Sequence, residues 1–446
     1  MNRRDFFKAG VKSVTALGAA SMMGKFGEMN ALAANNTSGY NALVCIFLLG
    51  GNDGHNTVIP ISTGLQNYTQ YSSVRQSLAL PQATLNPVMM KNGDVYGLHP
   101  ELKEIQTLFN QGNAAILANV GMLSVPIKGR QAYLSGAPVP ANLFSHSDQQ
   151  NQWETSIPNG LSSSGWGGRL ADLYANPAAK FPAVATTSNC GLFCSGSLTF
   201  PTTVPPTGAI SLDAYNDAAL QSGQQALLQF DNGLSLVQAA NGVVNRGQGY
   251  ATTLNGMISS VNLATTFPTT QIGQQLNMVA KLIALRNQLG LNRQVFFCTL
   301  DGFDTHGGQL AIQDALLQQL SPAIMALYTS LGNDLGVQNQ VTIFTNSEFG
   351  RAAVPNSSGG TDHAWGNHHF VIGGAVKGGD MYGTYPSLAL GGPDDANNSG
   401  TMIPTTAVAQ YAATLASWFG VTDPNSLAQV LPTIGNFTTP NLGFLG

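Results

Sequence analysis

With 446 residues the chain is long enough for two or three average domains, or for one large α/β domain with insertions around a sizeable core. Only 9% of its residues are charged, the net charge is −4, and no Lys/Arg cluster lies beyond the first 25 residues, which excludes a nucleic-acid partner. Neutral Asn, Gln, Ser and Thr must wet the surface instead, a composition commoner in exported than in cytosolic proteins.

At the N-terminus, Asn2-Arg3-Arg4-Asp5-Phe6-Phe7-Lys8 resembles a twin-arginine export signal. An Ala/Gly-rich stretch follows, and Ala31-Leu32-Ala33 supplies a small-x-small cleavage site. Residues 1–33 thus read as a signal peptide, with residues 34–446 as the mature chain. That predicts a periplasmic or extracellular protein whose first partner is the twin-arginine export machinery. No later stretch reaches the roughly 18 apolar residues of a membrane span, so none is expected in the mature chain.

The continuous apolar run Ala42–Leu49 predicts a central strand, opening through Gly50-Gly51-Asn52 into a turn that presents Asp53 at the strand's C-terminal edge. A helix is expected over Glu101–Phe109 and a strand over Ala114–Val120, the alternation of a parallel sheet. Ser145, with Asp148 three residues on, resembles a capping box and predicts a helix running to Thr155, whose free N–H groups suit an anion. Trp166–Tyr174 reads as a helix and Phe181–Ala185 as a short strand.

From about 190 to 290 charge thins further and helical stretches appear at 214–240 and 272–289, an expected insertion or cap over the sheet. Cys190 and Cys194 flank Gly-Leu-Phe, where a disulfide or a metal pair would fit, whereas Cys45 and Cys298 lie inside apolar runs and read as buried thiols. The sheet pattern resumes with Gln294–Leu300, which ends in Asp301-Gly302-Phe303-Asp304-Thr305-His306, then a long helix, Gln309–Leu331. Val341–Phe344 is the next strand, followed by Glu348, Arg351 and a Gly/Ser-rich loop carrying Asp362, His363, His368 and His369 before the apolar run Phe370–Ile372. Val376–Tyr385 has hairpin character, and Val408, Tyr411, Leu415 and Trp418 recur at helical spacing in a last helix, Pro404–Phe419.

In a parallel sheet the C-terminal strand ends share one edge, so polar groups far apart in sequence can meet there. Asp53, Asp301 or Asp304, His306, Glu348, Asp362, His363 and His368 therefore form a candidate metal set. Mixed carboxylate and imidazole suits one or two divalent ions among Zn, Mn, Mg and Ca, and a close pair of such ions serves phosphoryl displacement. His99, beside Pro100, reads as structural; His55 and His369 stay open. Arg351 is set to grip either an oxyanion or a carboxylate. No P-loop, G-x-S-x-G elbow or H-E-x-x-H occurs, against nucleotide binding, serine esterase and zincin chemistry.

The segments GGNDGHNT, SHSDQQNQWE, LDGFDTHGG, SEFGR, GTDHAWGNHHF and IPTTAVAQYAATLASWFG, in this order behind a twin-arginine leader, resemble the DUF1501 family, which is itself similar to the alkaline phosphatase and sulfatase superfamily. The resemblance implies an α/β fold, an alkaline-phosphatase-like three-layer sandwich around a mostly parallel sheet with an inserted, mainly helical cap. It also implies a metal-dependent hydrolase or transferase acting on phosphate or sulfate esters of small molecules or polysaccharides. Asp53 resembles the first-strand metal aspartate and Asp301 with His306 a later pair, with Asp304 as competitor. Ser347-Glu348 stands where that superfamily has Asp-His, and Asp362-His363 comes a loop later. Ser145 is the nearest match to the nucleophile, Ser147 its competitor, and His146 between them resembles a ligand or general acid. The Cys-x-Pro-x-Arg signature is absent, which disfavours a formylglycine sulfatase. The competing reading is a catalytically degenerate relative that binds envelope or extracellular polysaccharide through the neutral polar insertion.

Overall fold

The first apolar run forms β1 (Asn41–Leu49), buried along almost its whole length, near the middle of a nine-stranded sheet. The structure, a computed structural model, describes residues 39–175, 184–186, 191–199, 201–206, 208, 218–229 and 235–446. The expected signal peptide, and Cys190 with its expected disulfide, lie outside these residues.

Along the chain follow β2 (Val58–Ser62), β3 (Asn86–Met89), β4 (Val95–Leu98), β5 (Ala114–Gly121), β6 (Val184–Thr186), β7 (Thr202–Thr203), β8 (Arg293–Asp301), β9 (Val341–Asn346), β10 (Asn367–Ile372), β11 (Met381–Gly383) and β12 (Thr406–Ala407). The large sheet has the order β11-β5-β10-β9-β1-β8-β6-β7, with β12 also beside β5, while β2, β4 and β3 make a separate antiparallel sheet. β1 pairs in parallel with β8 from Asn41↔Arg293 to Leu49↔Asp301, and with β9 from Ala42↔Val341 to Phe47↔Asn346. Among the described strands of the large sheet, β10 alone runs antiparallel to its neighbours, β9 and β5. Its N-terminal end therefore lies on the edge where β1, β5, β8 and β9 have their C-terminal ends.

Both faces of the sheet are covered, which is why its strands read as unbroken apolar runs. Ala42, Val44, Ile46 and Leu48 face a layer holding Leu276, Val279 and Ile283 of the helix Gln271–Ala284 and Leu317, Leu320 and Ile324 of the helix Gln309–Asn333. Leu43, Cys45 and Phe47 face the other layer, with Trp153, Trp166, Tyr411, Leu415 and Phe419. Each such side chain taken fully out of water contributes about 1.5–3 kcal/mol before entropy is counted. The result is the expected α/β sandwich with a mostly parallel sheet.

Several local expectations change. Val376–Tyr385 forms no hairpin; β11 pairs in parallel with β5, whose open edge offers backbone partners such as Ile116 N, which donates to Asp380 O at 3.1 Å. The last helix begins at Val408 rather than Pro404 because Thr406 and Ala407 pair with β5. Of the stretch expected to be helical over 214–240, the described residues lie in the helices Ala218–Gln229 and Ser235–Ser260. No helix among the described residues is long and apolar enough to cross a membrane.

Candidate functional site

The turn after β1 is the floor of the site. Gly50 has φ +115, and a Cβ there would sit 2.2 Å from Asp304 N and 2.7 Å from Phe303 C, so only glycine lets this turn lie against the turn after β8. Gly50 also works through its backbone: its N–H donates to Glu348 Oε1 at 2.8 Å and its carbonyl accepts from Arg351 Nη2 at 2.8 Å. Beyond β9 the chain makes a narrow ladder, Ala352 N to Asp362 O at 3.0 Å and Ala364 N to Gly350 O at 2.8 Å, which returns His363 to the rim. Gly360 packs this loop on the turn after β8; a Cβ there would lie 2.3 Å from the His306 carbonyl carbon.

Asp304 is where these segments meet. The Arg351 guanidinium donates to its Oδ1, His306 Nε2 lies 3.1 Å and His363 Nε2 3.3 Å from that same oxygen, and His146 Nε2 is 3.5 Å from Oδ2. The two ring nitrogens Nε2 of His306 and His363 are 2.9 Å apart. His146, Asp304 and His363 each offer a ligand atom within 4.8 Å of the others. The outward nitrogens are fixed by what holds the inward ones. His146 Nδ1 is 2.9 Å from Glu348 Oε1 and His363 Nδ1 is 2.7 Å from the Phe144 carbonyl; both partners only accept, so both Nδ1 atoms carry the proton. In the neutral rings this leaves the lone pairs on the two Nε2 atoms, which face Asp304. Buried His146 Nε2 has no hydrogen-bond partner among the described residues.

Electrostatics follow from these contacts. Partial burial works to raise the Asp304 carboxyl, but the hydrogen bond and charge of Arg351, with His146 and His306, outweigh it and hold it below the usual carboxylate range. The Glu348 hydrogen bond raises His146, whereas burial lowers His363. Three carboxylates, Asp304, Asp362 and Glu348, contact the rim histidines here, against the single Arg351 guanidinium.

The other expected site residues are placed differently. Asp53 is buried, bound by Arg75, by Gln309 Nε2 and by His55 N at 3.0 Å. Asp301 is exposed and accepts from Gly302 N at 2.7 Å. Asp362 is exposed, 3.6 Å from His306 Nδ1. Glu348 is fully buried behind His146 and also accepts from Gln150 Nε2 at 2.9 Å. His368 lies inside β10, where its Nδ1 accepts from Asn119 N at 3.1 Å and its ring stacks 4.7 Å from that of Tyr385. Arg351 is buried and donates to the carbonyls of Gly50, Gly51, Phe303 and Thr361 besides Asp304, leaving it no reach toward an oxyanion. Ser145 caps the helix His146–Thr155, and its hydroxyl donates to Asp148 Oδ2 at 2.5 Å. Sequence reasoning missed Arg75, Gln150, Gln309 and the Phe144 carbonyl. Nothing in the pattern around them marks a site, because they act by reaching across the fold.

Residues 40–409 match the family model described as "Protein of unknown function (DUF1501)". No curated protein gives a significant sequence match. Among solved structures, the chain is similar to the lipoteichoic acid synthase LtaP from Listeria monocytogenes, at 7% identity and TM-score 0.32 over 85% of this chain and 79% of that one. It is also similar to the PsFucS1 sulfatase from Pseudoalteromonas sp., at 10% identity and TM-score 0.30 over 85% and 69% of the two chains. A third is the soluble domain of lipooligosaccharide phosphoethanolamine transferase A from Neisseria meningitidis, at 8% identity and TM-score 0.31 over 79% and 87%.

Proposed function

The chain belongs to the DUF1501 family, and from that premise we propose that it is an exported, metal-dependent hydrolase or transferase acting on phosphate or sulfate esters of small molecules or polysaccharides. One observation carries the reading: ligand atoms of His146, Asp304 and His363 lie within 4.8 Å of one another at this rim, and His306 Nε2 lies 3.1 Å from the Asp304 carboxylate and 2.9 Å from His363 Nε2. The set fits a cation. Donors about 2.0–2.1 Å from a tetrahedral zinc lie roughly 3.3 Å from each other, the scale of the 2.9, 3.1 and 3.3 Å separations here. Three imidazoles with one carboxylate suit zinc better than magnesium or calcium.

A divalent ion held there would supply Lewis-acid charge for an ester oxygen. The chain's own residues do the rest. Glu348 and the Phe144 carbonyl hold the Nδ1 protons of His146 and His363, which keeps both Nε2 atoms free as ligands. Arg351 orients Asp304 from behind. Ser145, at the start of the helix and next to His146, is the nucleophile of this reading.

The saturation of Arg351 and the engagement of the Ser145 hydroxyl by Asp148 favour a second reading, the degenerate polysaccharide binder. Metal analysis of purified protein, with a chelator-sensitive screen over phosphate and sulfate esters, tests the first; metal-free, inactive protein refutes it. Ser145→Ala then separates the two: turnover falling by about a thousandfold or more supports the nucleophile, whereas cellular function left intact supports the binder. The export route is tested by mutating Arg3 and Arg4 to Lys, which is expected to retain the protein in the cytosol.

A further inference from the structure

We propose that the Asp53–Arg75 pair is a built-in counter-charge, so that the rim holds a single cation and Asp53 acts on it only as a positioning group. The proposal rests on the metal-centre reading above and deepens it. Asp53 stands at the C-terminal end of β1, where a carboxylate is well placed for a second ion. Its valence is already met. The Arg75 guanidinium and Gln309 Nε2 both donate to Oδ2, and His55 N donates to Oδ1 at 3.0 Å. The side chains of Asp53 and Arg75 are each only 1% exposed.

Arg75 cannot readily step aside. Its Nε donates to Asn56 Oδ1 at 3.1 Å and its Nη1 to the carbonyls of Ala352 and Ala353 at 3.2 and 2.9 Å. An ion at Asp53 would leave a guanidinium buried without its anion, and breaking such a buried pair is strongly destabilising. The guanidinium thus supplies the positive charge that a second ion would otherwise bring.

The pair is tied to the rim by a continuous relay. Gln309 Oε1 accepts from Thr361 Oγ1 at 2.6 Å, and the Thr361 carbonyl accepts from Arg351 Nη1 at 2.9 Å. Arg351 Nη2 in turn donates to Asp304 Oδ1. Arginine and carboxylate alternate along this path, from Arg75 and Asp53 to Arg351 and Asp304. Asp53 sets where Gln309 lies, Gln309 where Thr361 lies, and the last link orients the carboxylate that faces the three imidazoles.

The test is zinc stoichiometry of the full mature protein, stripped with chelator and titrated with Zn²⁺ alone, by native mass spectrometry and calorimetry. One ion per chain is expected, and two overturn the proposal while leaving the metal-centre reading intact; none overturns both. Asp53→Asn combined with Arg75→Met removes both buried charges together and is expected to keep one ion with affinity lowered by no more than about tenfold, the effect of loosening the relay. An affinity loss of a hundredfold in that double variant makes Asp53 a ligand and sinks the idea. Gln309→Ala leaves every rim ligand in place and is expected to weaken zinc about tenfold at unchanged stoichiometry; unchanged affinity removes the relay. Should the double variant fail to fold, the wild-type stoichiometry and Gln309→Ala still decide.

Discussion

Glu348 shows how one side chain can hold several segments around a site it does not enter. Its Oε1 accepts from Gly50 N at 2.8 Å, Gln150 Nε2 at 2.9 Å and His146 Nδ1 at 2.9 Å, with no solvent exposure. Three donors converging on one oxygen need an anion. Glu348→Gln keeps the shape but removes the charge, and an amide turned to offer its NH₂ meets donors only. Its expected effect is a 10–100-fold fall in zinc affinity, as for other partners of a metal-bound histidine, with the far-UV spectrum unchanged. Competitive zinc titration measures this, and equal affinities would show that His146 is not held through Glu348.

At the scale of elements, the turn after β1 carries the most demanding constraint. Gly50→Ala places a methyl 2.2 Å from Asp304 N at φ +115, while both backbone groups of residue 50 are already bonded to Glu348 and Arg351. We expect a loss of about 3 kcal/mol or more in urea-induced unfolding; an unchanged midpoint would mean the turn has slack that its contacts deny. The same scale shows what the sequence made legible. β1, β5, β8, β9 and the helix Gln309–Asn333 were readable because strands covered on both faces are unbroken apolar runs and the helix is long. Asp304, His306 and His363 at one rim followed from that reading. The direction of β10 did not, because a strand buried on both faces has the same pattern whichever way it runs. Nor did the pairing of Asp53 with Arg75, since an aspartate after a strand looks alike whether or not an arginine of a packed helix, here Tyr68–Arg75, reaches it.

Over the whole molecule, histidine burial sets the response to acid. Burial, the largest cause in each, pushes His55, His368 and His369 down to about 3 and His99 down to about 4. The unfolded chain binds protons near pH 6.5 that the folded chain refuses, so unfolding takes up protons and stability falls as pH drops from about 6.5 toward those lower values. Each histidine contributes up to about 1.4 kcal/mol per pH unit in that window. Chelated protein is expected to show a Tm nearly level above pH 7 and dropping steeply below pH 6; a Tm held level down to pH 4.5 would show that these rings are reached by water.

The placement of β1 between β8 and β9 has one more outcome. Chain from before and after the helices Ala218–Gln229 and Ser235–Ser260 is interleaved within a single sheet, so those helices are not what keeps the two halves together. A backbone cut anywhere between 218 and 260 leaves fragments that still clasp one another through β1. Nicked material is expected to travel as one species through a sizing column and to part into two bands only after boiling in detergent.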